Sequence, residues 1–169
     1  VVTYDQRYPA SVPDLRQLLT DEDFVRAFAA ELGLSDAVVE ITHTGATVVR
    51  RLVLPVPTDQ VPGIFRKFVG DEVDIVDRWE FPPVAEDGTC HAVVTVRAQA
   101  GGREAAFEGT ALLAPCEDGG TDLTVAGDVR VDLPLVGRQA KGLLAPLIVA
   151  ALKQQTKVVL TRLCAAVDG

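Results

Sequence analysis

Four stretches of strict alternation between residues 72 and 133 constrain the fold of this chain more than any other feature. Val73, Ile75, Trp79 and Phe81 share one face of the first, and Cys90, Ala92, Val94 and Val96 share one face of the second. Ala105, Phe107, Ala111 and Leu113 repeat the pattern, as do Leu123, Val125, Val129, Val131 and Leu133. Opposite them stand polar and charged residues such as Asp122, Thr124, Asp128, Arg130 and Asp132. Neighbouring side chains on a strand point to opposite faces, so each stretch reads as a strand with one dry and one wet side. Such strands belong to an antiparallel sheet covered on one face. The breaks at Pro82-Pro83 with Asp87-Gly88, at Gly101-Gly102 and at Asp118-Gly119-Gly120 are of hairpin length.

A dry face needs a cover, and the end of the chain supplies one. From about Val136, and clearly over Arg138 to Val167, Leu144, Ile148, Leu152, Val159 and Leu163 form one apolar stripe with Gln155 in its middle. Roughly 30 helical residues span about 45 Å, enough to cross a whole sheet. Pro146 either marks the true first turn or kinks the helix, because its ring clashes with the preceding turn.

The first third of the chain adds further elements. Val2, Tyr4 and Tyr8 alternate with polar residues in a strand that Pro9 ends. Ser11, Pro13 and Asp14 open a helix carrying Leu15, Leu18 and Leu19. Asp21 opens a second, with Phe24, Phe28 and Leu32 four residues apart and Gly33 as its stop. Ala37 to His43 and Ala46 to Leu54, joined by Thr44-Gly45, read as a hairpin. Between residues 55 and 70, Pro55, Pro57, Pro62 and Gly63 surround Val61, Ile64, Phe65 and Phe68 at helical spacing, which predicts a weakly held helix and a candidate lid. The expected architecture is α+β in a single domain over residues 1–169. It comprises a curved antiparallel sheet of about seven strands around a long C-terminal helix, with two short helices after the first strand.

Charge narrows the partners. The net charge of −8 arises from 24 acidic and 16 basic residues, and the basic ones are scattered singly or in pairs such as Arg50-Arg51 and Arg66-Lys67. Nucleic acid and anionic membrane surfaces are therefore excluded as expected partners. Neutral small molecules and proteins remain, with the chain itself a monomer or weak homodimer. Cys90, Cys116 and Cys164 are widely spaced and lack metal-ligand spacing, so they read as reduced cytoplasmic thiols, with no metal or other cofactor expected. The longest apolar stretch, residues 142–152, is about half of the roughly 20 residues a membrane span needs, so no stable membrane insertion is expected, and no signal peptide is visible.

The element order, Val69-Gly70 before a strand carrying Trp79, the strand from Thr121 to Asp132, and Leu133-Pro134-Leu135-Val136-Gly137 at the helix entrance resemble the START-like, or SRPBCC, superfamily. This superfamily includes polyketide cyclases and Bet v 1-like proteins. Within it the chain is similar to an actinobacterial domain-of-unknown-function family, number 2505. The resemblance covers the whole chain, departing from the family's usual final helix at Pro146. It implies the helix-grip fold and a cavity between sheet and helix, where superfamily members bind lipids, sterols, polyketides or other apolar molecules. It transfers no catalytic residue.

The expected lining is Trp79, Phe81, Phe107, Leu123, Val125, Leu144, Ile148 and Leu152. Asp77 shares the face of Ile75 and Trp79, so it is either a ligand anchor or acid–base group, or half of a structural ion pair with Arg50 or Arg51. Those two arginines lie on opposite faces of their strand, and Arg51 is the one assigned to the site, where it would hold a ligand carboxylate. Gln155 either hydrogen-bonds a ligand or satisfies a backbone group. His43 and His91 are expected outside, and residues 137–141 offer free backbone N–H groups to an anion. The leading function is binding or carriage of a hydrophobic small molecule. A cyclase or aromatase using Asp77 and an inward arginine, or a ligand-free interaction module, are its rivals.

Overall fold

In a computed structural model the chain is described except at residues 35, 58, 60, 62, 64–71, 101–102, 133–136 and 169, and the side chains at 72, 100 and 166–168 are likewise left undescribed. Seven strands and three helices follow one another as β1 (Val2–Tyr8), α1 (Val12–Leu19), α2 (Glu22–Glu31), β2 (Val38–Thr44), β3 (Thr47–Pro57), β4 (Glu72–Phe81), β5 (Cys90–Ala100), β6 (Arg103–Pro115), β7 (Thr121–Val131) and α3 (Gly137–Asp168). The strands form one sheet in the order β1-β7-β6-β5-β4-β3-β2, with every neighbouring pair antiparallel. From β2 to β7 the sheet is a simple meander, and β1 adds to its far edge. The α1–α2 pair links the two edges.

Local chemistry explains the helices. Ser11 Oγ accepts from the Asp14 backbone N–H at 3.3 Å to start α1, and Asp21 Oδ2 accepts from Phe24 N–H at 2.9 Å to start α2. Gly33, at φ 78°, then takes the left-handed conformation that ends α2. Leu15, Leu19, Phe24, Val25 and Phe28 are buried on the inner side of this pair.

Curvature has a visible cause where β6 meets β7. Gly109 faces Gly127 across the ladder. A Cβ on Gly127 would lie 2.6 Å from the Gly109 Cα and 2.8 Å from the Phe107 ring. Two bare backbones thus approach where side chains would hold them apart, and the sheet can bend there. The concave face so formed carries the core, with Trp79, Phe81, Ala92, Phe107, Ala111, Leu113, Leu123 and Val125 all buried.

Helix α3 has 32 residues and covers this face. Thr156 pins it to β1. Its hydroxyl donates to the Leu152 carbonyl at 3.0 Å and accepts from the Tyr4 and Tyr8 hydroxyls at 2.7 and 2.8 Å. Burial pushes the Tyr8 phenol up from 10.0 to about 12, a rise that the bond to Thr156 only partly offsets.

Of the two expectations for Pro146, the structure excludes one. Pro146 lies inside α3, which already begins at Gly137, so it does not mark the first turn. Its side chain faces solvent, and its local costs are the ring's clash with the preceding turn and the missing backbone N–H, which takes one hydrogen bond from the helix. A departure from expectation concerns apolar length: Gly137–Ala165 is long and apolar enough to cross a membrane by length and composition. Counting only unbroken apolar residues missed this, because isolated polar residues interrupt the run without lowering its mean. Here 22% of that apolar window is buried, and Leu152, Gln155, Thr156, Val158 and Val159 are the residues that pack inward from the second half of the helix. The helix and lid expected over residues 55–70, and the strand end at Leu133, lie outside the described residues save for β3 to Pro57 and isolated positions.

Candidate functional site

Between the concave sheet and α3 lies a cavity of about 280 Å³. Its sheet wall is built from inward residues of β3 to β7, among them Leu54, Ile75, Asp77, Trp79, Val94, Val96, Phe107, Val125 and Val129. Leu144, Leu147, Ile148, Ala151, Leu152 and Gln155 form the helix wall, and Phe28, Leu32 and Leu34 close the end below α2. Leu147 is 50% exposed, and it is the one exposed residue in the described lining, so the cavity meets the surface beside it.

The polar part of the wall follows from strand register. In an antiparallel pair, residues directly opposite share a face, and here Arg50 lies opposite Trp79 and Leu52 opposite Asp77. Arg50 is fully buried. Its Nη1 donates to the Leu19 carbonyl at the end of α1 at 3.1 Å, where the helix dipole favours a cation. Its guanidinium carbon stands 4.8 Å from the centre of the Trp79 ring. Nη2 lies 3.9 Å from Asp77 Oδ1, within ion-pair range but too far for a hydrogen bond. Among the described residues, Arg50 Nε and Nη2 and Asp77 Oδ1 have no hydrogen-bond partner.

Burial pushes the Asp77 carboxyl up, and the nearby Arg50 and a side-chain hydrogen bond with Trp79 only partly oppose it. Burial lowers Arg50 in turn, against the pull of Asp77. Desolvation leads on both sides, and the opposite charge of the partner opposes it on both.

Most of the expected site residues meet at this cavity: Trp79, Asp77, Phe107, Val125, Leu144, Ile148, Leu152 and Gln155 all line it. Phe81 and Leu123 do not, being fully buried in the packed part of the core. Arg51 is a correction. It lies opposite Arg78 on the outer face, where Nη1 pairs with Glu40 at 3.4 Å, and Arg50 is the inward arginine. The reason is register: the hairpin sets Thr44 opposite Thr47, which places Arg50 across from Ile41 and Arg51 across from Glu40.

His43 and His91 are exposed on their strands. Sequence reasoning missed Phe28, Leu32 and Leu34. The four-residue spacing of Phe24, Phe28 and Leu32 marked an apolar stripe, but nothing in it says that the stripe faces a cavity rather than a packed core. Among the described residues, no cluster of three His, Cys, Asp or Glu is placed to hold a metal ion.

Comparison with solved structures identifies the architecture. The crystal structure of TTHA0849 from Thermus thermophilus matches with a TM-score of 0.62 at 19% identity, over 98% of this chain and 97% of that one. The crystal structure of dicamba monooxygenase bound to 3,6 dichlorosalicylic acid matches with a TM-score of 0.61 at 14% identity, over 99% of this chain and 51% of that one. At these identities the likeness is one of fold, a curved antiparallel sheet closed over a long C-terminal helix. No curated protein matches the chain. The family described as Protein of unknown function (DUF2505) matches residues 3–163, nearly the whole sequence, and the chain belongs to that family.

Proposed function

We propose that this protein binds or carries a hydrophobic small molecule in the cavity between its sheet and α3. The observation that supports the reading is the cavity itself, about 280 Å³ walled almost wholly by aliphatic and aromatic side chains. Apolar concavities with a few polar groups are the usual form of small-molecule sites, typically about 300 to 1,000 Å³. A volume at the small end of that range favours a compact ligand over one the size of a sterol. Asp77 is the one titratable side chain in the described lining, which supports holding a molecule rather than an acid–base pair acting on it. A cytoplasmic setting fits the free thiols of Cys90, Cys116 and Cys164 and belongs to the same proposal.

Filling the cavity tests the reading. Ala151 lines it from α3 and is partly exposed, so Ala151→Trp places a large side chain where a ligand would sit. The unaltered protein is expected to bind naphthalene, followed by fluorescence titration, and to retain small-molecule adducts in native mass spectrometry after gentle purification. Ala151→Trp is expected to fold and lose both. Equal binding by the two proteins would show that the ligand sits elsewhere.

A further inference from the structure

Resting on that reading, we propose that the natural occupant is a compact apolar alcohol or phenol whose hydroxyl donates a hydrogen bond to Asp77. Three features of the cavity lead there, and the first is unused hydrogen-bonding capacity. Asp77 belongs to the wall and keeps 14% of its side chain accessible; its Oδ1 is closed off, 3.9 Å from Arg50 Nη2 and with no hydrogen bond among the described residues, so a donor in the cavity would meet the other oxygen, Oδ2. A carboxylate accepts several hydrogen bonds, and one left unmet in an apolar setting is costly, so a donor arriving with the ligand is strongly favoured.

Charge excludes the other common polar ends. Arg50, fully buried behind Asp77, already supplies one positive charge to one negative charge. A ligand carboxylate would set a second anion beside Asp77, and a ligand ammonium a second cation beside Arg50, each in surroundings too apolar to screen it. A hydroxyl adds no charge and brings the donor.

The third feature is the facing wall. Gln155, nearly fully buried in the middle of α3, lines the same cavity from the helix side. Its amide N–H can serve the oxygen of a hydroxyl that donates to Asp77, so one ligand group uses a donor from α3 and an acceptor from β4. The rest of the lining is apolar and suits a ring system or short chain.

The test is calorimetric titration of the purified protein near neutral pH with naphthol, methylnaphthalene and naphthoate, which share a body of suitable size and differ at one substituent. Naphthol is expected to bind about ten- to a hundredfold tighter than methylnaphthalene, the gain given by a hydrogen bond to a charged group, with naphthoate the weakest. In Asp77→Leu naphthol should fall to the level of methylnaphthalene. Asp77→Asn keeps an oxygen acceptor without the charge and should retain a smaller preference, about two- to tenfold, which separates loss of the acceptor from loss of the fold. Should Asp77→Leu not fold, the unaltered protein and Asp77→Asn decide. Equal binding of naphthol and methylnaphthalene overturns the hydroxyl anchor and leaves the apolar cavity standing as a site. Tightest binding by naphthoate overturns it in favour of Arg50 as the polar anchor. Binding of none of the three overturns both proposals.

Discussion

Arg50 is costly to bury. It is fully buried, its pairing with Asp77 is long, and two of its nitrogens have no described partner. What offsets the desolvation is a bond to the Leu19 carbonyl and the face of Trp79. Removing one member of a buried pair leaves the other uncompensated, so Arg50→Met is expected to lower stability by about 3 to 5 kcal/mol. The double variant Arg50→Met with Asp77→Leu is expected to recover most of that, because neither charge is then stranded. Urea unfolding of the set checks both. The raised carboxyl of Asp77 adds a pH dependence whose sign follows from linkage. The folded state holds this proton more tightly than the unfolded chain does, so the stabilisation is full below the ordinary carboxyl range and is lost as pH rises through the folded value. Relative to Asp77→Asn, the unaltered protein is therefore expected to lose stability on going from acid to neutral pH, read as the difference between two series of melts. At this scale the sequence was hardest to read. Strand β3 carries apolar residues on both faces, Val48, Leu52 and Leu54 on one and Val49 and Val53 on the other. Neither parity stood out, and only pairing with β2 and β4 separates the inward Arg50 from the outward Arg51.

Helix α3 joins the two halves of the proposed site, because the turn that supplies Leu152 and Gln155 to the cavity also supplies Thr156 to β1. Thr156→Val keeps the shape, removes the shared partner of two tyrosine hydroxyls, and is expected to cost about 1 to 3 kcal/mol in chemical denaturation, since one of those hydroxyls is fully buried. The Gly109–Gly127 pair is a second element-scale device. Because a methyl group at Gly127 meets both the facing strand and the Phe107 ring, Gly127→Ala is expected to destabilise the protein and weaken ligand binding together, through displacement of a lining residue. Elements were the most legible part of the chain. Period-two alternation in β4 to β7, the Ser11 and Asp21 caps and the stripe along α3 each state a local preference that the tertiary structure keeps. Of the two readings of Pro146, the first turn is excluded because α3 already begins at Gly137.

Across the whole molecule, charge is unevenly divided. Helix α3 holds Arg138, Lys141, Lys153, Lys157 and Arg162 against one acidic residue, Asp168, in a protein of net charge −8. Part of this is met by α2, where Glu31 pairs with Lys157 at 3.3 Å and the Asp23 carbonyl accepts from Arg162 at 3.4 Å. High pH should loosen the assembly from the other side. The Tyr8 phenol is raised to about 12, so the stability it lends is present below its ordinary value of 10.0 and lost as pH rises from there through the folded value. Tyr8→Phe is expected to flatten the alkaline limb of the stability curve, followed by circular dichroism. The cavity as a whole was legible only through resemblance. Alternation says which side chains face inward, but whether they meet or leave a gap depends on sheet curvature and helix height, which no single stretch encodes.

The pairing of β1 with β7 sets the order in which this protein can be completed. The meander from β2 to β7 links neighbours in sequence and can zip one hairpin at a time. Strand β1 leaves the ribosome before any of them, yet its partner is the last strand and its tyrosines wait for Thr156, 152 and 148 residues on. Closure over so long a loop comes late in folding and favours a slow final step. Until then the exposed edge of β7 and the unfilled concave face are open to each other's copies. The proposed ligand, arriving at that stage, would bind an interior that is still being assembled.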